Sequence, residues 1–116
     1  MPVIKVWCLP KIPEDWLRKL HKDIVYAVTN VKELGLSNEN DMTCLFDMMS
    51  YGLGEEIIIE VTGLFKKPER TDEVRLRLAT ELGRAVDAMF PNALVECFVY
   101  PFEPNQGFWC NRSMSI

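Results

Sequence analysis

The sequence predicts an α/β (α+β) domain: a four-stranded mixed sheet with two helices on one face. Three observations point there. Four short runs are almost wholly apolar, and two longer segments repeat apolar residues at helical spacing. The order strand, helix, strand then occurs twice, so the chain reads as a tandem βαβ with pseudo-symmetric halves. A length of 116 residues fits one domain, 1–116, with an internal repeat of about 1–50 and 55–103. Such a chain buries about two thirds of its unfolded surface, enough for a core without disulfides.

Pro2-Val3-Ile4-Lys5-Val6-Trp7-Cys8-Leu9 is the first strand. After a short loop, Pro13 opens a helix, with Glu14 and Asp15 at its positive dipole end. Trp16, Leu17, Leu20, Ile24, Ala27, Val28 and Val31 form its apolar stripe, and the helix is expected to run to Gly35. Ser37 to Asp41 is a polar connection, and Met42 to Met49 is the second strand, ended by Tyr51-Gly52-Leu53-Gly54. Glu56 to Val61 is the third strand. Thr71 caps a helix from Asp72 to about Phe90, with Val74, Leu78, Leu82, Ala85, Val86 and Met89 as its stripe. Ala93 to Tyr100 is the fourth strand. The nearly continuous apolar runs imply that both sheet faces are buried. Two helices cover only one face, so a second copy of the chain is expected on the other.

Composition removes several classes of function. Thirteen Lys and Arg against 17 Asp and Glu give a net charge of −4, which argues against a nucleic-acid surface. No basic start precedes an apolar run, and no stretch reaches the ~20 apolar residues of a membrane span, so a cytoplasmic location is expected. Cys8, Cys44, Cys97 and Cys110 are spaced neither for zinc nor for a disulfide framework and read as reduced core thiols. His21, the single histidine, has no metal-spaced partners and reads as a half-buried helix residue. Gly52-Leu53-Gly54 precedes a strand instead of following one, which is wrong for a phosphate cradle. No serine, cysteine or threonine sits in a nucleophile turn. Metal-free and cofactor-free chemistry is the expectation.

Pro2 is the residue with a chemical reading. Proline is structurally permitted at the first position of a strand, where no ladder hydrogen bond is asked of it. If Met1 is removed, however, the strand begins with a free secondary amine. Burial in an apolar pocket disfavours the ammonium form, leaving a general base near neutral pH. An uncleaved Met1 leaves Pro2 an ordinary amide without basicity.

The chain resembles the tautomerase superfamily, and the resemblance spans nearly its whole length. It rests on Met1-Pro2 opening the first strand, on the doubled βαβ order, and on the glycine turn at 51–54. Glu69-Arg70-Thr71 is similar to the superfamily's Gly-Arg-Ser turn, and Asn105 to Asn111 is similar to the Gly-Trp-Asn tail of the macrophage migration inhibitory factor branch. The resemblance implies a homotrimer with Pro2 in a pocket near a subunit boundary. It also implies an isomerase that uses Pro2 to shift a proton alpha to a carbonyl of a small-molecule substrate. Two features depart from the pattern. The turn Leu9 to Pro13 carries no Gly-Arg-Ser, and Leu36 stands where the inhibitory-factor branch offers a lysine.

Arg70, Tyr100 and Lys5 are the candidate substrate-binding residues. Arg70 precedes the Thr71 cap, where it either shares a carboxylate ligand with helix amides or pairs at the surface with Glu69 or Asp72. Lys5, Asp47, Glu60 and Glu96 are charges within apolar strands. Each needs a partner or a wet space, and a Lys5–Glu60 cross-strand pair is one solution. Tyr100 closes the last strand, either packing or donating to a substrate oxygen in a neighbouring subunit's pocket. Phe102, Phe108 and Trp109 form an aromatic tail expected at a subunit contact. Two rivals share these features: a non-catalytic trimeric binding protein on the same fold, and a ferredoxin-like ligand-binding module. The ferredoxin-like sheet places the third strand beside both the first and the second; the tautomerase sheet places it beside the first only.

Overall fold

A computed structural model describes residues 1–48 and 56–108. The expected glycine turn at 51–54, Cys110 and the end of the tail from Trp109 lie outside the described residues. Strand β1 is Val3–Leu9, β2 Thr43–Met48, β3 Glu56–Phe65 and β4 Leu94–Phe102; helices α1 and α2 are Glu14–Asn30 and Asp72–Met89. The sheet order is β2-β1-β3-β4, with β1 parallel to β2, antiparallel to β3, and β3 parallel to β4. Each helix is thus the crossover that a parallel pair requires. The third strand lies beside the first and not the second, which is the arrangement that separates this sheet from a ferredoxin-like one.

One layer forms the core. Ile4 and Val6 of β1 and Ile57, Ile59 and Val61 of β3 meet Leu20, Ile24 and Val28 of α1 and Leu78, Leu82 and Val86 of α2. Thr71 caps α2 by accepting the amide of Val74 on its hydroxyl at 3.3 Å. The first helix is shorter than its stripe suggests. Val31 leaves helical geometry at φ −87°, ψ 88°, and a 3₁₀ turn over Lys32–Leu34 follows, closed by Gly35 at φ +71°. The tighter turn aligns residues three apart, so Val31 and Leu34 are both buried while the chain reverses. Asn38 then opens a second 3₁₀ turn, Glu39–Asp41, with a reciprocal capping box to Asp41. Strand β3 is longer than expected because Gly63, at φ +71°, takes up a bulge that lets the strand continue to Phe65.

The second sheet face has no cover from within the described residues. Within the chain, β1 and β3 alternate buried residues with half-buried or exposed ones, and β4 alternates half-buried with exposed ones, because both helices occupy a single layer. Trp7, Leu45, Phe98 and Tyr100 are exposed on the uncovered side, and Leu94 is 69% exposed. No helix among the described residues is long and apolar enough to cross a membrane.

The core carries the fold's stability. Leu82 is fully buried, so Leu82→Ala should lower unfolding free energy by about 2–5 kcal/mol, measured by urea denaturation.

Candidate active site

Pro2 is buried at the head of β1, between the start of β2 and the β3 bulge. Its carbonyl accepts the Thr43 amide at 3.0 Å. On the other side, Gly63 lies so close that a Cβ there would come within 2.9 Å of the Met1 carbonyl oxygen and 3.7 Å of the Pro2 Cα. Met1 is exposed, and its thioether accepts the Thr43 hydroxyl at 3.3 Å. A cavity of about 270 Å³ opens at this point, lined by Met1 and Pro2, the turn at Gly35 and Leu36, and Asn40 and Asp41. Gly63, Phe65, Lys67 and Arg70 complete its wall.

Arg70 is the one buried charged residue among those described, 7% exposed. Its Nη1 donates to the Phe65 carbonyl at 2.8 Å and its Nη2 to the Leu34 carbonyl at 2.7 Å. Neither surface pairing with Glu69 or Asp72 nor an open guanidinium is what the structure has. Both terminal nitrogens tie backbone together, joining the end of β3 to the turn before Gly35. The Nε is buried with no hydrogen-bond partner. Burial lowers the guanidinium pKa from its usual value, against the opposing charge of Glu69.

Asp41 fixes the opposite rim. Its Oδ2 accepts the Ser37 amide at 2.8 Å, the Ser37 hydroxyl at 3.1 Å and the Asn38 amide at 3.2 Å. These bonds, the two from Ser37 foremost, hold its carboxyl below the usual range, so it is an anion at neutral pH. Leu36 faces the cavity at the position where the resemblance called for a lysine.

Of the four site residues read from the sequence, Pro2 and Arg70 share this cavity. Lys5 and Tyr100 do not line it; they stand on the uncovered sheet face. Lys5 is in register with Glu60, but no ion pair joins them. Instead, Glu60 accepts the Trp7 indole N–H at 2.6 Å and the Tyr100 phenol. Loss of hydration, then this bond to Glu60, raises the Tyr100 pKa, keeping the phenol a donor at neutral pH. The aromatic tail divides. Phe102 stacks on Phe65 at 5.5 Å within the chain, whereas Phe108 is 92% exposed. His21 is half-buried, edge-on to Phe46 at 6.4 Å.

Lys67, Asp41 and Gly63 were not singled out by sequence reasoning. Gly63 carried a legible signal, a glycine inside an apolar strand run. Asn38 and Asp41 carried another, a capping residue followed three positions later by an acid. Lys67 carried none.

A larger cavity, about 540 Å³, lies at the other end of β1, lined chiefly by Ile12, Trp16, Ile57, Met89 and Phe90. Its size does not make it the reactive site: Cys8 is the one ionisable side chain lining it. Burial pushes the Cys44 and Cys97 thiols up to about 11 and about 12, so both stay protonated, as core thiols should.

No family model matches the chain, and no curated protein sequence does. Solved structures match in fold. A wild-type fused 4-OT, solved as a symmetric trimer, has a TM-score of 0.71 at 14% identity, covering 94% of this chain and 92% of that one. The macrophage migration inhibitory factor of Toxoplasma gondii has a TM-score of 0.65 at 13% identity, covering 95% and 97%. Pt0534, solved after inactivation by 2-oxo-3-pentynoate, has a TM-score of 0.70 at 12% identity, covering 92% and 91%. The chain has the tautomerase-superfamily fold.

Two predictions follow from the geometry around these residues. Gly63→Ala should destabilise by about 1–2 kcal/mol through its left-handed backbone. It should destabilise further where Met1 is retained, because only then is the facing carbonyl present; urea denaturation of both forms measures the difference. On the uncovered face, a hydrogen bond and like charge from Glu56 raise the Glu96 pKa above 4.5. A raised carboxyl stabilises the fold below its unfolded pKa, and that contribution is lost as pH rises through the folded value. Glu96→Gln should therefore be more stable than wild type at pH 7, an advantage that shrinks as pH falls through the raised folded value and is gone below about pH 4.5 in parallel melts.

Proposed function

We propose that the chain is a cofactor-independent tautomerase or isomerase of small carbonyl or enol acids, with Pro2 as general base once Met1 is removed. The observation that carries this reading is a buried proline at the head of a central strand, in one cavity with Lys67 and Arg70. Loss of Met1 frees the nitrogen where it now bonds the Met1 carbonyl carbon, beside Gly63. Burial and the two cations disfavour its protonation, while Asp41 opposes them.

In the reaction, the amine lone pair takes the proton alpha to the carbonyl. The C–H bond breaks, an N–H bond forms, and the electron pair moves onto the carbonyl oxygen as an enolate. The ammonium then returns the proton to oxygen or to another carbon. Positive charge near the developing oxyanion lowers the barrier because it is in place before the charge forms. That Pt0534 is inactivated by an acetylenic 2-oxo acid supports this substrate class for the fold.

We further propose a homotrimer in the cytoplasm. The exposed apolar residues of the uncovered sheet face support assembly, as do fused 4-OT neighbours solved as trimers. In such an assembly Lys5 and Tyr100 serve at the subunit boundary, so their substrate-binding role is to a neighbouring protomer's pocket. The free thiols of Cys8, Cys44 and Cys97 suit a reducing compartment.

The test is Pro2→Ala, with removal of Met1 verified by mass spectrometry in both proteins, assayed for ketonisation of phenylpyruvate enol. Replacing the ring-held secondary amine by a freely rotating primary one should lower kcat by about tenfold or more. Unchanged turnover would remove Pro2 from the mechanism.

A further inference from the structure

Resting on the proline-base reading, we infer that the Pro2 cavity selects an acid with one carboxylate and an apolar remainder, Lys67 binding that carboxylate and Asp41 turning away a second.

Three charged residues line the cavity: Asp41, Lys67 and Arg70. Arg70 is the obvious carboxylate partner by residue type, yet its geometry excludes the role. A two-point grip on a carboxylate uses paired N–H groups on one edge of the guanidinium. Here Nη1 and Nη2 each donate to a backbone carbonyl, and burial leaves no open edge of the guanidinium for a ligand. What remains to the cavity is the charge of Arg70, since its unpartnered Nε is itself buried.

Lys67 is in the opposite condition. Its carbonyl accepts the Arg70 amide at 2.9 Å, which fixes its backbone beside the cavity. Its side chain is exposed and its ammonium has no ion pair or hydrogen bond among the described residues. The preceding lysine shows the contrast: Lys66 pairs with Glu103 at 2.9 Å. Lys67 is therefore the charge free to meet an incoming anion.

Asp41 limits how much anion the cavity accepts. The three hydrogen bonds to its Oδ2 come from its own loop and hold both its position and its negative charge. Two cations against one fixed anion leave a net single positive charge. One carboxylate is neutralised on Lys67. A second on the same small molecule, within a space of about 270 Å³, remains inside the field of Asp41. Leu36 and Phe65, also in the wall, offer it no hydrogen-bonding side chain and suit a hydrocarbon or aryl group.

The experiment compares two acids that differ only at the far end, 2-oxohexanoate and 2-oxohexanedioate. Each is titrated calorimetrically into the Met1-processed wild type and into Lys67→Gln, Lys67→Arg and Asp41→Asn. Asparagine keeps an acceptor oxygen for the Ser37 and Asn38 amides, so the loop is retained while the charge is removed. Wild type should bind the monocarboxylate about tenfold tighter than the dicarboxylate. Lys67→Gln should lose about tenfold for the monocarboxylate, and Lys67→Arg should retain it. Asp41→Asn should narrow the difference by tightening the dicarboxylate. Equal affinity of wild type for the two acids, binding of neither, or indifference to Lys67→Gln would overturn the inference. The same titrations in Pro2→Ala separate it from the catalytic reading: selective binding there upholds the carboxylate assignment even if the wild type turns over nothing.

Discussion

The buried guanidinium of Arg70 is the constraint on which the rest of the site depends. A charge this deep is tolerable only if it is hydrogen-bonded. The groups that bond it are the carbonyls of Leu34, in the turn after α1, and Phe65, at the end of β3. By holding both, Arg70 fixes the Gly35–Leu36 turn against the end of β3, and the Pro2 cavity is the space left between them. An arginine that looks like a ligand-binding residue in sequence is thus foremost a structural tie. The anion chemistry falls to the less constrained lysine three positions earlier.

The two sheet faces divide the labour of the fold. On the helix face, alternate residues of β1 and β3 are sealed by α1 and α2, which makes the central strands rigid and holds Pro2 at the head of one of them. On the other face, Trp7, Glu60 and Tyr100 form a hydrogen-bonded set among exposed apolar neighbours. A carboxylate satisfied by an indole and a phenol is a polar group already prepared for burial, which fits the proposed assembly on that face.

Much of this was legible in the sequence, and for identifiable reasons. The four strands and two helices came from hydrophobic period, whereas the sheet order came from the family resemblance, since a doubled βαβ order is shared with ferredoxin-like sheets. The shared register of Lys5 and Glu60 followed from setting β1 and β3 antiparallel. What sequence did not convey was which partner each charge would choose. Glu60 took the indole and the phenol instead of Lys5, and Arg70 took carbonyls instead of neighbouring acids; both depend on side-chain reach in three dimensions. Nor does hydrophobic period mark where a helix tightens, so the shift to 3₁₀ geometry after Asn30 went unforeseen. Asp41 and Lys67 are loop residues with no period at all, and only the fold brings them to Pro2.

The central claim is that the Pro2 nitrogen is an uncharged base within its cavity. The most direct measurement is an NMR titration of the ¹⁵N-labelled amino terminus of the Met1-processed protein. Burial together with Lys67 and Arg70 should place its pKa below about 8, the ordinary amino-terminal range. An amine that holds its proton well above that range, or a native terminus found still blocked by Met1, would contradict the account.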